Sequence, residues 1–213
     1  MLVVAHKVVS KAEGRVRALD EVEPGDRARS LAAEHGKDPR VVEVVLEESR
    51  EVLRAERGVL ICETRHGYVC ANAGVDASNA SSPGELVLLP LDPDGSARRL
   101  RAAIAELGGV RPAVVIADSF GRAWRFGQTD VAIGAAGIAL LDDWRGRDDS
   151  VGRELRATVI AVADAVAGAA DLVRAKDSRE PAVLVQGLER LVASDDGPGA
   201  AALRRPREED LFR

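Results

Sequence analysis

VLICETRHGYVCANAG, residues 59–74, decides the fold class. Two apolar runs flank Arg65-His66-Gly67, a short polar connection ending in glycine, and together they read as two strands joined by a turn. A hairpin in this place argues against a strict alternation of parallel strands and helices. Working outward, both neighbours upstream are helical. PGDRARSLAAEHG (24–36) stops at His35-Gly36, and DPRVVEVVLEESREVLRAE (38–56) opens on Asp38 as N-cap with Pro39 at the first helical position. In the second, Val41, Val42, Val45, Leu46, Val52 and Leu53 fall on one face, which predicts a helix running through to Glu56. Downstream, ELVLLPL (85–91) is a short strand, and DPDGSARRLRAAIAELGG (92–109) is a helix capped by Asp92 and stopped by Gly108-Gly109. PAVVIADS (112–119) is a continuously apolar run ending on an acid, as a buried strand delivering a side chain would be. VAIGAAGIALL (131–141) and PAVLVQGL (181–188) read as strands, and TVIAVADAVAGAADLV (158–173) as a helix with small residues along it. The sum is an α+β fold of mixed sheets with packed helices. One domain is expected over residues 1–193, with a polar tail over 194–213 ending in RPREEDLFR.

Composition narrows the function classes. The chain has 213 residues, 46% hydrophobic and 31% charged, with a net charge of -5. That balance suits a folded protein and argues against a nucleic-acid or anionic-membrane partner. Aromatic residues are only 3%, too few for a platform on which single-stranded bases stack. No apolar run reaches membrane-spanning length, and the opening LVVAHKVV is too short for a signal segment; its alternation suits a strand. Cys62 and Cys70 form neither a disulfide framework nor a C-x-x-C pair, so a reduced, cytoplasmic protein is the simplest expectation.

Phosphate-loop, zinc-helix and serine-elbow motifs are absent, and His6, His35 and His66 are scattered. What remains are three polar islands beside apolar strands. HKVVSK (6–11) carries Lys7 and Lys11, which are either solvated lysines flanking a turn or point charges for phosphate. ANAGVDASN (71–79) offers Asp76, Ser78 and Asn79, either a simple Asx turn or hard oxygens for magnesium or manganese. ADSFGRAWRFGQTD (117–130) carries Asp118 and Ser119, then Arg122 and Arg125 around Trp124. Its acid and arginines form either a metal and anion site or a structural salt-bridge cluster with Trp124 in the core. Taken together the inventory suits magnesium-assisted phosphoryl chemistry better than a serine or cysteine nucleophile.

These islands, with their neighbours, resemble one family. VVSKAEGRV, DPRVVEVVLEESREVLR, ETRHGYVCANAGVDASN, LPLDPDGSARRLR, ADSFGRAWRFGQTDVAIGAAG, GRELRATVIAVADAVA and RPREEDLFR stand in the order found in the CofE family, the GTP-dependent ligases that add glutamate to the deazaflavin coenzyme F420. The resemblance covers nearly the whole chain. It implies a CofE-like fold in an intertwined homodimer, with small molecules rather than nucleic acid or membrane as partners. It also implies the chemistry. GTP phosphorylates the terminal carboxylate of the F420 precursor, and L-glutamate displaces phosphate from the acyl phosphate to form an amide, with further γ-linked additions open. Magnesium or manganese, as a pair of ions, is the implied cofactor. By the same resemblance Asp76, Asp118 and Ser119 are metal ligands, Ser119 standing where Thr is usual. Asn79 contacts the nucleotide, and Lys7 and Lys11 sit on a phosphate-binding strand and turn, with His6 where Ser is usual. Asp76, Asp118 and Lys11 are the expected catalytic residues.

Three departures shape the expectation. The family normally opens with a further strand and a Pro-Gly-containing loop that helps hold the nucleotide; nothing precedes Met1 here, so either the segment is missing, at a cost to GTP affinity, or the native start lies upstream. RAKDSREP (174–181) stands where relatives place a Gly-patterned loop bearing the second metal, and Asp177 and Glu180 are its candidate ligands. A flavin-binding reductase domain, which some relatives carry, is not expected. Two alternatives stand beside the ligase: one acting on another carboxylate and amine, and a nucleotide-binding homologue without catalysis.

Overall fold

The computed structural model describes residues 1–211 of the chain. It is mixed α and β, as the hairpin at 59–74 led us to expect, and it divides into two compact units. One comprises Met1–Ala5, Asp92–Ser119 and Thr129 onward; the other comprises His6–Leu91 and Phe120–Gln128.

In the first unit, strand β1 (Leu2–Ala5) enters a four-stranded sheet, and the chain then leaves for the second unit. There α1 (His6–Ala12), β2 (Val16–Ala18), α2 (Asp26–His35), α3 (Pro39–Glu48), β3 (Ser49–Glu56), β4 (Val59–Thr64), β5 (Val69–Ala71) and β6 (Glu85–Val87) follow in turn. The strand expected over LVVAHKVV is therefore cut short. His6 begins a two-turn helix because His6, Val9 and Ser10, spaced three and four apart, can all turn inward together. The helix expected through Glu56 also stops early, at Glu48. Ser49 closes it, its hydroxyl donating to the Val45 carbonyl at 2.6 Å, and SREVLRAE becomes β3. Ser49 pairs with Thr64 and Val52 with Cys62, so Val52 and Leu53 belong to an antiparallel sheet ordered β3-β4-β5. The helical periodicity of that stretch loses to a ladder of backbone hydrogen bonds that only the folded sheet supplies.

Local punctuation elsewhere holds. The Asp38 carboxylate accepts from the Arg40 amide at 2.9 Å, a cap worth about 1 kcal/mol. Gly36 takes the left-handed conformation that ends α2. Val42, Val44 and Val45 of α3 are buried with Leu60, Cys62, Leu86 and Leu88 in the core of this unit.

The first unit resumes with α4 (Pro93–Gly108), β7 (Val114–Arg122) and β8 (Arg125–Ala136), whose shared end over Phe120–Gln128 belongs to the second unit, and then β9 (Leu141–Asp143), β10 (Val159–Ala161), α5 (Val162–Val173) and β11 (Ala182–Leu184). Its main sheet is ordered β11-β1-β7-β8, with β1 parallel to β7 (Leu2 opposite Val114) and antiparallel to β11 (Leu2 opposite Leu184). Two expectations shift. Strand β7 does not end on its acid but runs to Arg122 and returns as β8 through a two-residue connection, so residues 117–130 form a hairpin. VIA (159–161) near the head of the expected helix is strand β10, paired with β9. In α5, Ala163, Ala167 and Ala170 are buried against the core of Val3, Val115 and Ala132. Small side chains let a helix approach a sheet closely, which explains the composition noted in that stretch. Residues 193–196 are held in place: the buried Arg101 guanidinium donates to the carbonyls of Ala193 and Asp195 and to the Asp196 carboxylate at 2.6–2.8 Å. The last two residues of RPREEDLFR lie outside the described residues.

Candidate functional site

The stretch 71–79 is a tightly determined loop in the second unit. Asn72, Ala73 and Gly74 are all left-handed (φ 51, 53 and 74). Gly74 is required there twice over: by its φ, and because an added Cβ would lie 2.7 Å from the Leu89 side chain. The room beside Gly74 is thus filled by Leu89. Asp76 follows, its backbone locked to Val87 by two hydrogen bonds of 2.8 and 3.1 Å.

The Asp76 side chain is the hub of a polar cluster. Lys7 on α1 places its ammonium 2.5 Å from Asp76 Oδ2 and also donates to Ser78 Oγ (2.6 Å) and the Ser78 carbonyl (2.9 Å). The Ser78 amide and hydroxyl each donate to the carboxylate at 2.7 Å. The amide bond is the Asx turn that one reading of the sequence anticipated, and the lysine adds what a bare turn lacks. Burial works against the charge of Asp76, but the hydrogen bonds from Lys7 and Ser78 outweigh it and hold the carboxyl below its ordinary range. Asp76 is therefore an anion at neutral pH, with a cation fixed against it.

The other candidates around Lys7 separate by burial. His6 is on the inward side of α1, its Nδ1 3.3 Å from Ser10 Oγ. Lys11 lies one helical turn beyond Lys7 and, among the described residues, has no ion-pair partner. Lys7 and Lys11 are thus on a helix, where the resemblance implied a strand and turn. Asn79 is exposed, with a left-handed backbone (φ 55).

Asp118 and Ser119 belong to a second cluster, in the first unit, at the point on β7 where burial gives way to partial exposure. The Ser119 amide donates to Asp118 Oδ1 at 2.8 Å. The Ser119 hydroxyl donates to Asp130 Oδ1 at 2.6 Å and accepts from Lys176 at 2.8 Å. Asp130 on β8 is fully buried; its other oxygen accepts from Arg174, whose side chain is also nearly buried. Lys176 bonds as well to Asp171 at 3.0 Å. Sequence reading missed Asp130, Arg174 and Lys176. They come from a hairpin and a loop that no local pattern connects, Arg174 being 44 residues from its partner. The loop 174–181 reaches this cluster with its cations, while Asp177 and Glu180 are exposed. Arg122 and Arg125 lie on the hairpin beyond Ser119, and Trp124 is at its exposed tip, not in the core.

Asp76 in the second unit, and Asp118 with Ser119 in the first, present carboxylate and hydroxyl oxygens, the hard donor type that magnesium and manganese take. Among the described residues no group of three His, Cys, Asp or Glu side chains is placed to hold a metal ion. Ser119 has one lone pair left after its bonds to Asp130 and Lys176, enough for a ligand bond.

Comparison with known proteins identifies relatives along the whole chain. Residues 1–187 match the model of the F420-0:Gamma-glutamyl ligase family. Along all of its length the chain is 49% identical to a protein of Methanopyrus kandleri named Coenzyme F420:L-glutamate ligase, covering 85% of that protein. Proteins of the same name from Archaeoglobus fulgidus (46%) and Methanothermobacter thermautotrophicus (44%) are similar over 84% of their lengths.

Proposed function

This chain belongs to the F420-0:gamma-glutamyl ligase family, and from that premise we propose that it joins L-glutamate to the deazaflavin F420 precursor at the expense of GTP. The observation that carries the proposal is identity approaching one half with ligases of that name along the entire chain. The two clusters are compatible with it: Lys7 is fixed against the Asp76 carboxylate, and Lys176 against the Ser119 hydroxyl beside Asp130 and Arg174, so that cations stand close to the candidate ligand oxygens, as at phosphoryl-transfer sites.

The terminal carboxylate of the precursor attacks the γ-phosphorus of GTP, releasing GDP and leaving an acyl phosphate. The amine of glutamate then attacks the acyl carbon; phosphate departs with the electron pair of its C–O bond, and the ammonium proton passes to solvent. Lys7 and Lys11 hold phosphate oxygens as point charges, and Asn79 contacts the nucleotide. Asp76 in the second unit, and Asp118 with Ser119 in the first, would be ligands of a pair of magnesium or manganese ions, which would supply charge neutralisation at the phosphate oxygens. Asp130 and Arg174 position the Ser119 hydroxyl without touching substrate. The product can re-enter for a γ-linked extension, and the acting species is a homodimer.

Phosphate release tests this reading. Wild-type protein with GTP, magnesium and precursor should release phosphate only when glutamate is added, and hydroxylamine in place of glutamate should trap the acyl phosphate as a hydroxamate. Tight GTP binding with no phosphate release under these conditions would favour the non-catalytic homologue instead.

A further inference from the structure

The chain contains three Phe, two Trp and one Tyr, and four of these six rings gather at the hairpin of β7 and β8. Phe120, Trp124 and Phe126 come from the hairpin itself, all within seven residues. Tyr68 meets Phe120 edge to face, with ring centroids 6.2 Å apart, and His66 stacks on Tyr68 at 5.8 Å. His66 is fixed in turn by donating to the Pro90 carbonyl at 2.8 Å. All of these residues lie in the second unit, so the base of the hairpin tip is mounted on a continuous, packed ladder.

The outer part of the tip is built differently. Trp124 is 83% exposed and Phe126 is fully exposed. Trp124 is also left-handed (φ 59), a conformation disfavoured for a bulky side chain and chosen here at the apex of a two-residue connection. Arg122 donates across the hairpin to the Phe126 carbonyl at 2.9 Å, and Arg125 is exposed beside it. Between Phe120 and Gln128 there are two arginines and no acid, in a chain of net charge -5. Exposed rings cost hydration, and a chain this poor in them has no compositional reason to leave two in water at one spot.

We propose that this tip is the subsite for the flat ring system of the deazaflavin precursor, Trp124 and Phe126 stacking on the ring and Arg122 and Arg125 facing its anionic tail. The inference rests on the ligase reading and adds to it the residues that select the substrate. Rings supply a sequence-tolerant face for any fused heterocycle, and arginine serves both stacking and charge pairing. A deazaflavin carrying a carboxylate is complementary on both counts.

The test has a readout for each layer. Removing one stacking ring should raise the KM for precursor about tenfold, by analogy with the loss of a base-stacking ring. Trp124→Ala and Phe126→Ala should show that rise with the KM for GTP and the kcat at saturating precursor unchanged, and Trp124→Phe should restore most of the loss. Independently of turnover, Trp124 fluorescence in a Trp144→Phe background should be quenched by unglutamylated precursor and not by GTP. Circular dichroism melts confirm that these exposed substitutions leave the fold intact. An active wild type whose precursor KM is indifferent to both alanine variants would overturn the subsite. So would dissociation of a dimer by those variants with KM unchanged, which would make the tip an interface between copies. Quenching by precursor in a wild type that makes no amide would uphold the subsite and sink the ligase reading.

Discussion

Asp130→Asn replaces one carboxylate oxygen by an amide NH2 with almost no change of shape, which isolates the charge that organises the Ser119 cluster. Asp130 is 1% exposed and its partner Arg174 is 9% exposed. In the native protein one oxygen accepts from Arg174 and the other from Ser119 Oγ. The amide has a single acceptor. If it serves Arg174, the amide N–H faces Ser119 Oγ, which can accept it, but the hydroxyl proton loses its acceptor; if it serves Ser119, the guanidinium faces an N–H. Either way a buried cation is left without its counter-charge. Removing one member of a buried pair costs about 3–5 kcal/mol, and the retained hydrogen bond puts this case near the lower end, about 3 kcal/mol. For a chain of this size that lowers the melting temperature by roughly 6–12 °C. Asp130→Asn combined with Arg174→Gln removes both charges and should recover most of the loss, because the expense lies in the uncompensated charge rather than in the missing bond. Thermal melts of the single and double variants at pH 7 measure this directly. A single variant melting within about 1 °C of wild type, or a double variant worse than the sum of the singles, would refute the reasoning.

Other outcomes follow from single groups. Burial pushes the Asp164 carboxyl up, though it accepts a 2.9 Å bond from the Ala132 amide. A raised pKa favours folding below the ordinary carboxylate range and costs stability once the pH exceeds the folded value. Asp164→Asn, which keeps the acceptor, should therefore melt higher than wild type at pH 7, with the difference gone near pH 4. Asp76 has the opposite sign: its lowered pKa contributes stability at neutral pH that is lost as pH falls through the folded value, so Lys7→Met should be destabilising at pH 7 and neutral in acid. A Cβ at Gly137 (φ 71) would lie 2.3 Å from the Arg101 guanidinium. Gly137→Ala should cost about 3 kcal/mol or more by disturbing that buried charge and its backbone acceptors, and should open residues 193–197 to limited proteolysis.

How much of this was legible in advance depended on range. Asp38, Gly36 and Gly109 mark helix ends because a cap needs only its nearest neighbours, and those boundaries stand where the sequence put them. SREVLRAE has a helical stripe and a strand partner, and only the register of Val52 on Cys62, ten residues away, settles which wins. The Asp76 turn could be read from Asp76 and Ser78 alone, but the lysine that charges it is 69 residues distant. The Ser119 cluster was the least legible, for Arg174 and Lys176 sit in a loop where the acids had drawn attention and the cations do the bonding. Likewise a 3% aromatic content spoke against a platform for single-stranded bases, and composition cannot say that half of those rings share one hairpin.

The central claim is the amide-forming reaction, and mass spectrometry of its product tests it most directly. Purified protein would be incubated with GTP, magnesium or manganese, L-glutamate and unglutamylated F420 precursor. A product heavier by one or more glutamyl units, formed with stoichiometric GDP and absent from folded Asp76→Ala and Asp118→Ala variants, is the result expected here. Unchanged precursor after incubation with folded, GTP-binding wild-type protein would contradict it.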